Sequence, residues 1–400
     1  MSQREVVFVD GSRTPFGRLG GGLKYIIAGE LCIIVIKDLL EKTKINEKTN
    51  VDNVFIGSAS GCKSNNPARY ATIGALGYDV PCSFIEFQCG SAIDAINHAA
   101  WKIIAGEADV IIAGGVESYS QMTVKFPMHY PPFRMTPPMP LPPLLSPIEG
   151  DSIGMGLTAE VLQVQYDIPR EASDEYAFNS QMRAKAAMES GILDQDIVPV
   201  VTPATKRTPE VVFDKDEHPR PGTTLEALSK LSPVFKKGGT VTAGSSSGQN
   251  DGAGAILMMS AEKAKELGYE PIARWISGGE AGCDPKAMGI GPAYAIPVAL
   301  KRAGLKLSDM DVMECNEAFA VQNLAVIKEV ENLTGEKVDM EKWNPLGGAI
   351  AFGHPNGASG IRLSLFTMRQ LIETGGKYGF FSSCAGGGLG VVTVIENLKR

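Results

Sequence analysis

Cys89 opens the run Cys89-Gly90-Ser91-Ala92-Ile93-Asp94-Ala95-Ile96, which the apolar spacing predicts to be helical. At a helix start, unpaired backbone N–H groups and the helix dipole favour a thiolate, so Cys89 is a candidate nucleophile. The bland alternative is a small core cysteine, which is the commoner fate of this residue type. Two later segments shift the balance. His354 stands between Gly353 and Pro355 and ahead of Gly357-Ala358-Ser359-Gly360, where proline fixes a helix entry and small residues permit tight packing. A neutral imidazole there can take the Cys89 proton and later, as a donor, polarise a thioester carbonyl. Cys384 precedes Gly386-Gly387-Gly388, a turn whose N–H groups can bind an oxyanion while the thiol moves a proton at an α-carbon. Asn316 begins Asn316-Glu317-Ala318-Phe319-Ala320 at a strand end and can position a water or a carbonyl. The corresponding plain readings are a backbone-bonded histidine, a buried cysteine and a turn-stabilising asparagine. Together the four residues point to acyl transfer through a thioester. Cys32, Cys82, Cys283 and Cys315 lack such flanks and are expected to be structural, Cys62 is undecided, and His98, His129 and His218 look structural or peripheral.

These side chains require an α/β framework to bring them together. β-rich runs at Val6-Val7-Phe8-Val9, Val51 to Ile56 and Val110 to Ala113 alternate with helical stretches and end in small residues. The carboxyl third repeats the theme, with Val312-Met313-Glu314 as the first strand of a second half, a helix after His354, and a strand from Tyr378 to Ser383. In this duplication Cys89 and His354 each precede the main helix of their half. Gly114-Gly115 and Gly386-Gly387-Gly388 each follow its last core strand. The halves are placed at residues 1–122 plus 252–272, and 273–400. The inserted segment 123–251 contains a proline-rich loop from Pro127 to Pro147, an amphipathic helix from Ser173 to Ser190, and a small-residue stretch from Val241 to Gly254 suited to close approach by a ligand.

A chain of 400 residues with 44% hydrophobic content supports a large core, and a formal charge of -7 argues against a nucleic-acid partner. No run of eighteen or so apolar residues is present, so no membrane insertion is expected. No charged leader with a cleavage site precedes Val6, and seven scattered cysteines without a C-x-x-C pair fit neither a disulfide framework nor a metal ribbon. A reduced, cytoplasmic setting is the expectation.

Cys89, Asn316-Glu317-Ala318-Phe319-Ala320, Gly347-Gly348-Ala349-Ile350-Ala351-Phe352-Gly353-His354-Pro355 and Cys384-Ala385-Gly386, in this order, closely resemble the thiolase family over essentially the whole length. Arg13-Thr14-Pro15-Phe16-Gly17, Gly114-Gly115-Val116-Glu117-Ser118, Met155-Gly156-Leu157-Thr158-Ala159-Glu160 and Val241-Thr242-Ala243-Gly244 add support. The resemblance implies a duplicated βαβαβαββ fold in five αβαβα layers, and an acyltransferase that uses coenzyme A as substrate with no required cofactor and no metal. It implies that Cys89, activated by His354, attacks the keto carbon of a 3-ketoacyl-CoA, releasing acetyl-CoA. Cys384 would handle the α-proton, and free CoA would collect the acyl group. One oxyanion hole would use His354 and a water held by Asn316, the other the N–H groups of Cys89 and Gly386. CoA would lie along the insertion, with Arg220 and Phe235 near the adenine, Ala243 and Ser247 near the pantetheine, and Met155 and Phe319 around the thioesters. A homodimer or homotetramer is implied as well.

The chain departs from the family pattern in places. Gly154-Met155 stands where short-chain biosynthetic members usually carry His-Met, which tilts the expectation towards 3-ketoacyl-CoA degradation, as in β-oxidation, over acetoacetyl-CoA synthesis. Gln88, Ala92 and the loop from Tyr130 to Pro147 are also unusual. Rival readings are a hydroxymethylglutaryl-type condensing enzyme, which would replace Cys384; a non-catalytic acyl-CoA-binding partner in a complex; and, last, a cysteine hydrolase.

Overall fold

The computed structural model describes residues 4–59, 63–127, 139–141, 144–204 and 209–400; Cys62, His129, Tyr130 and much of the proline-rich stretch lie outside them. Among the described residues the strands are β1 (Val6–Arg13), β2 (Gly17–Arg18), β3 (Asn53–Gly57), β4 (Cys82–Ile85), β5 (Val110–Ser118), β6 (Val200–Thr202), β7 (Val211–Phe213), β8 (Asn250–Ser260), β9 (Ala273–Gly282), β10 (Met310–Cys315), β11 (Tyr378–Ala385) and β12 (Leu389–Asn397). The helices are α1 (Ala28–Thr43), α2 (Ile45–Lys48), α3 (Pro67–Leu76), α4 (Ser91–Ile104), α5 (Met155–Gln165), α6 (Arg170–Ser190), α7 (Leu225–Ser229), α8 (Ala261–Glu266), α9 (Gly291–Ala303), α10 (Ala320–Thr334), α11 (Ala349–Phe352) and α12 (Ser359–Thr374).

One long sheet runs in the order β10-β11-β12-β9-β1-β8-β5-β3-β4, with β2 beside β8, and its two parts repeat each other. From β1 outward the neighbours β8 and β5 are antiparallel and β3 is parallel; from β9 outward β12 and β11 are antiparallel and β10 is parallel. The parts join where β1 and β9 pair antiparallel. Strands buried on both faces read as continuous apolar runs, which is why β5 is buried along its whole length. Its alternate residues serve two layers: Val110 and Ile112 face the outer cluster with α1, while Ile111 and Ala113 face a middle layer. That middle layer is α4 and α12. Ile93, Ile96 and Ile103 of α4 and Ile361, Leu365 and Met368 of α12 pack with Ile256 and Met258 from one part and Phe381 and Val391 from the other. On the far side α9 and α10 cover Phe380, Val392 and Val394. The layering is thus helix, sheet, helix, sheet, helix.

Several sequence expectations need correction. The first strand of the second half is β9, and the run Val312-Met313-Glu314 lies in the second, β10. Gly114 and Gly115 lie inside β5 and do not follow it, because the backbone approaches closely there: a Cβ on Gly115 would stand 2.0 Å from the Gly357 carbonyl oxygen. Gly386-Gly387-Gly388 make the hairpin between β11 and β12, so another strand follows them. The small-residue stretch from Val241 becomes β8 at Asn250, and the helix read from Ser173 begins at Arg170.

Candidate active site

Cys89 sits in a single 3-10 turn, Gln88–Gly90, that feeds directly into α4. The residue before it, Gln88, is held at φ 49, a left-handed conformation that costs a non-glycine residue of order 1 kcal/mol and is characteristic of functional turns. The turn is tied to the second half. Ser383 Oγ donates to the Cys89 carbonyl at 3.4 Å, and the turn packs against β11, which carries Cys384, and against the 3-10 turn Asn356–Ala358 just after His354. Cys89 is 8% exposed. Burial, then the negative charge of Glu117, pushes its thiol up to about 12, and hydrogen bonding from the N–H groups of Cys89 and Gly386 opposes this without cancelling it. Burial and the Glu117 charge together outweigh the N–H groups that favour the thiolate, so the resting thiol is protonated and its ionisation needs a base.

His354 is buried, and its ring is oriented from both nitrogens. Ser359 Oγ lies 2.6 Å from Nδ1 and 3.3 Å from the Pro355 carbonyl oxygen. The hydroxyl donates to the carbonyl and accepts from Nδ1–H, which leaves Nε2 with the lone pair of a base. Nδ2 of Asn316 lies 3.3 Å from that Nε2 and donates to it. Burial, reinforced by the Arg362 charge, holds the imidazole down to about 3, so it is neutral at physiological pH. Gly353 before it adopts φ +91, and the His354 N–H is shared between the Gly248 carbonyl at 3.1 Å and Asn250 Oδ1 at 3.1 Å. On the other flank, buried Glu117 accepts from the N–H groups of Gly357 at 3.0 Å and Ala59 at 2.9 Å, clamping the histidine loop onto β5.

Asn316 follows β10 and is fully buried, and among the described residues its Oδ1 has no hydrogen-bond partner. Its carbonyl accepts from Asn323 Nδ2 at 3.0 Å, part of a buried network with Trp343, Tyr176, Asn344 and Glu317. Cys384 is fully buried at the end of β11, its thiol pushed well above the usual range by desolvation and then by the nearby thiols of Cys89, Cys315 and Cys283. Cys315 and Cys283 thus border the site, although nothing in their sequence flanks marks them. After Cys384, Gly387 and Gly388 take φ +90 and +85, and a Cβ on Gly388 would stand 2.2 Å from the Cys283 carbonyl oxygen, so this hairpin needs glycine. A Cβ on Gly386 would meet Gln88 and Leu145 at 3.2 Å, so the end of the proline-rich loop reaches the site.

A second group gathers beside these residues. Phe235 and Phe319 pack edge to face at 5.9 Å, and Phe235 lies so close over Gly156 that a Cβ there would be 2.1 Å from its ring. Met155 is half-buried next to Gly156, and the Ser247 N–H donates to the Ala318 carbonyl at 3.0 Å. Ala243 is exposed on the same segment. Arg220 is exposed too, its N–H bonded to Gln181 Oε1 at 2.9 Å. The Cys89 and Cys384 thiols and the Gly386 N–H thus lie together, and the turn that carries Cys89 packs against the turn just after His354, whose ring meets the Asn316 amide. Among the described residues no group of three His, Cys, Asp or Glu side chains could hold a metal ion, and no helix is long and apolar enough to cross a membrane. Sequence reasoning gave no role to Ser359, Glu117 or Asn250. A lone hydroxyl among small residues one turn after His354 was the available signal for the first.

Residues 6–262 match the family model described as "Thiolase, N-terminal domain", and residues 269–397 match "Thiolase, C-terminal domain". The chain is 43% identical to the acetyl-CoA acetyltransferase of Cupriavidus necator, covering 98% of this chain and 99% of that one. Its structure is similar to that of the Bacillus anthracis acetyl-CoA acetyltransferase, with a TM-score of 0.92, 40% identity and 99% coverage of both chains. It is also similar to human mitochondrial 3-ketoacyl-CoA thiolase in complex with CoA, with a TM-score of 0.86, 39% identity and 98% coverage of both.

Proposed function

The chain belongs to the thiolase family, an acyltransferase with the duplicated thiolase fold, and we propose that Cys89 is its acyl-carrying nucleophile, His354 the base that activates it, and Cys384 the group that handles the α-proton. The reaction is CoA-dependent cleavage of a 3-ketoacyl-CoA to acetyl-CoA and a shortened acyl-CoA, or the reverse Claisen condensation. His354 Nε2 takes the Cys89 proton, and the sulfur attacks the keto carbon; the C2–C3 bond breaks and Cys384 protonates the departing acetyl-CoA enolate. The Cys384 thiolate then takes the thiol proton of a second CoA, whose thiolate displaces the acyl group from Cys89, and His354 returns its proton to the leaving Cys89 sulfur. His354 and a water held by Asn316 stabilise one carbonyl oxygen, and the N–H groups of Cys89 and Gly386 the other; a donor of this kind contributes roughly 3 kcal/mol. The observations that carry the reading are the neutral, doubly anchored His354 and, in the turn packed against the one just after it, a buried thiol that burial keeps protonated.

Phe235, Phe319, Met155, Ala243 and Ser247 form the proposed wall for CoA, with Arg220 towards its adenine. The open space at Gly154, where a Cβ would meet nothing within 4 Å, supports degradation of longer 3-ketoacyl-CoA substrates over acetoacetyl-CoA synthesis. The test is a CoA-dependent cleavage assay across chain lengths: kcat/KM for 3-ketohexanoyl-CoA should equal or exceed that for acetoacetyl-CoA. Near-inactivity beyond acetoacetyl-CoA would favour the biosynthetic reading. β4, an edge strand with Phe84 37% exposed, supports a homodimer or a larger homo-oligomer, because such an edge is normally covered. The free cysteines support a cytoplasmic location.

A further inference from the structure

Beneath the site lies a buried pair that the mechanism does not use. Arg362 on α12 and Glu314 on β10 are both fully buried, with Arg362 Nη1 3.9 Å from Glu314 Oε2. Among the described residues, none of the three guanidinium nitrogens and neither carboxylate oxygen has a hydrogen-bond partner. Five unpaired polar atoms across such a gap are costly to bury, and their spacing and polarity suit bridging water. Replacing a buried ion pair by apolar side chains of similar volume is often neutral or stabilising, so the pair is weak evidence of a stabilising role.

Its position points to another role. Arg362 is three residues after Ser359, on the same face of α12, and Ser359 holds His354 Nδ1. Glu314 is two residues before Asn316, which donates to His354 Nε2. The guanidinium also lies 4.9 Å from the Phe366 ring centroid, and Phe366 packs edge to face, at 5.2 Å, with Phe352, two residues ahead of His354. We propose that Glu314 and Arg362 are positioning residues, a water-bridged cross-brace between β10 and α12 that sets the Asn316–His354 contact. Glu314 and Glu317 face Arg362 from the β10 side, Arg183 also acts on Glu314, and Asp216 offsets Arg13, the other buried cation nearby. Burial presses both groups towards neutrality and each group's charge resists this for the other, while the positive end adds to the burial that keeps His354 neutral.

The inference rests on His354 acting as the base. The decisive variant is E314M/R362M, which removes both charges and leaves neither unpaired. It should fold cooperatively, keep its KM for acyl-CoA within about twofold, and lose about tenfold or more in kcat, the scale of loss that a small misplacement brings. R362K, which keeps the charge, should retain at least about tenfold more kcat than R362Q. Wild-type kcat in the folded double variant, or equal kcat in R362K and R362Q, overturns the brace. H354Q separates the two claims: an inactive H354Q beside a fully active double variant overturns the brace alone, and an active H354Q overturns the assignment of the base.

Discussion

At His354 the same burial that keeps a base ready also makes the fold sensitive to acid. The imidazole titrates near 6.5 when unfolded and is held down to about 3 in the fold, mainly by desolvation. Between those values the unfolded chain takes up a proton that the folded one refuses, so stability present above pH 6.5 is lost as pH falls, by about 1.4 kcal/mol per unit. His218, lowered to about 4 but less buried, adds a smaller share over a narrower range. Urea midpoints measured from pH 7 to pH 5 should therefore fall in the wild-type protein and fall less steeply in H354Q. Parallel slopes would mean that His354 is not held neutral by the fold. Cys89 responds oppositely: its thiol, raised by burial from 9.0 to about 12, costs no stability below the first value, and stability is lost as pH rises from there towards the second.

The site depends on elements meeting at backbone distance, and Gly115 tests this most sharply. An alanine Cβ there would stand 2.0 Å from the Gly357 carbonyl oxygen and 2.7 Å from Ala92, so the histidine loop must move away from β5. G115A should lose about 1–3 kcal/mol of stability through overpacking, and its kcat should fall by about tenfold or more. Unchanged kcat and thermal midpoint would show that the loop tolerates the shift. The strands at Val6, Val110 and Tyr378 were legible because β-branched and aromatic runs end in small residues; Cys89 and His354 stand out because each adjoins glycine at an element end, and Cys384 because three glycines begin two residues after it. Gly114 and Gly115 were expected to follow their strand because glycine pairs often end strands, whereas here they lie inside β5 and make room for another backbone. β9 escaped notice because Ala273–Gly282 is rich in glycine and charge. Ser359, Glu117 and the Glu314–Arg362 pair were not legible as a group, since their partners are distant in sequence and only packing brings them together.

For the molecule as a whole, the two repeated parts of the sheet enclose α4 and α12, so each part delivers one essential group: α4 follows Cys89 and α12 follows His354. In the proposed reading the acyl chain runs past the insertion at Gly154 and Met155, Leu145 and Phe319, so substrate range belongs to no single element. Placing histidine at Gly154, which has open space, should reduce kcat/KM for 3-ketohexanoyl-CoA more than for acetoacetyl-CoA, since each buried methylene is worth about 0.8 kcal/mol. An equal effect on both substrates would place the acyl chain elsewhere. The division of labour between the two thiols is the centre of the account, and acid-trapping after incubation with acetyl-CoA, followed by peptide mass spectrometry, tests it most directly. The acetyl group should be found on Cys89 in the wild-type protein and also, in reduced yield, in C384S, while C89S should carry none. An acetyl group on Cys384, or turnover continuing with none on Cys89, would contradict it.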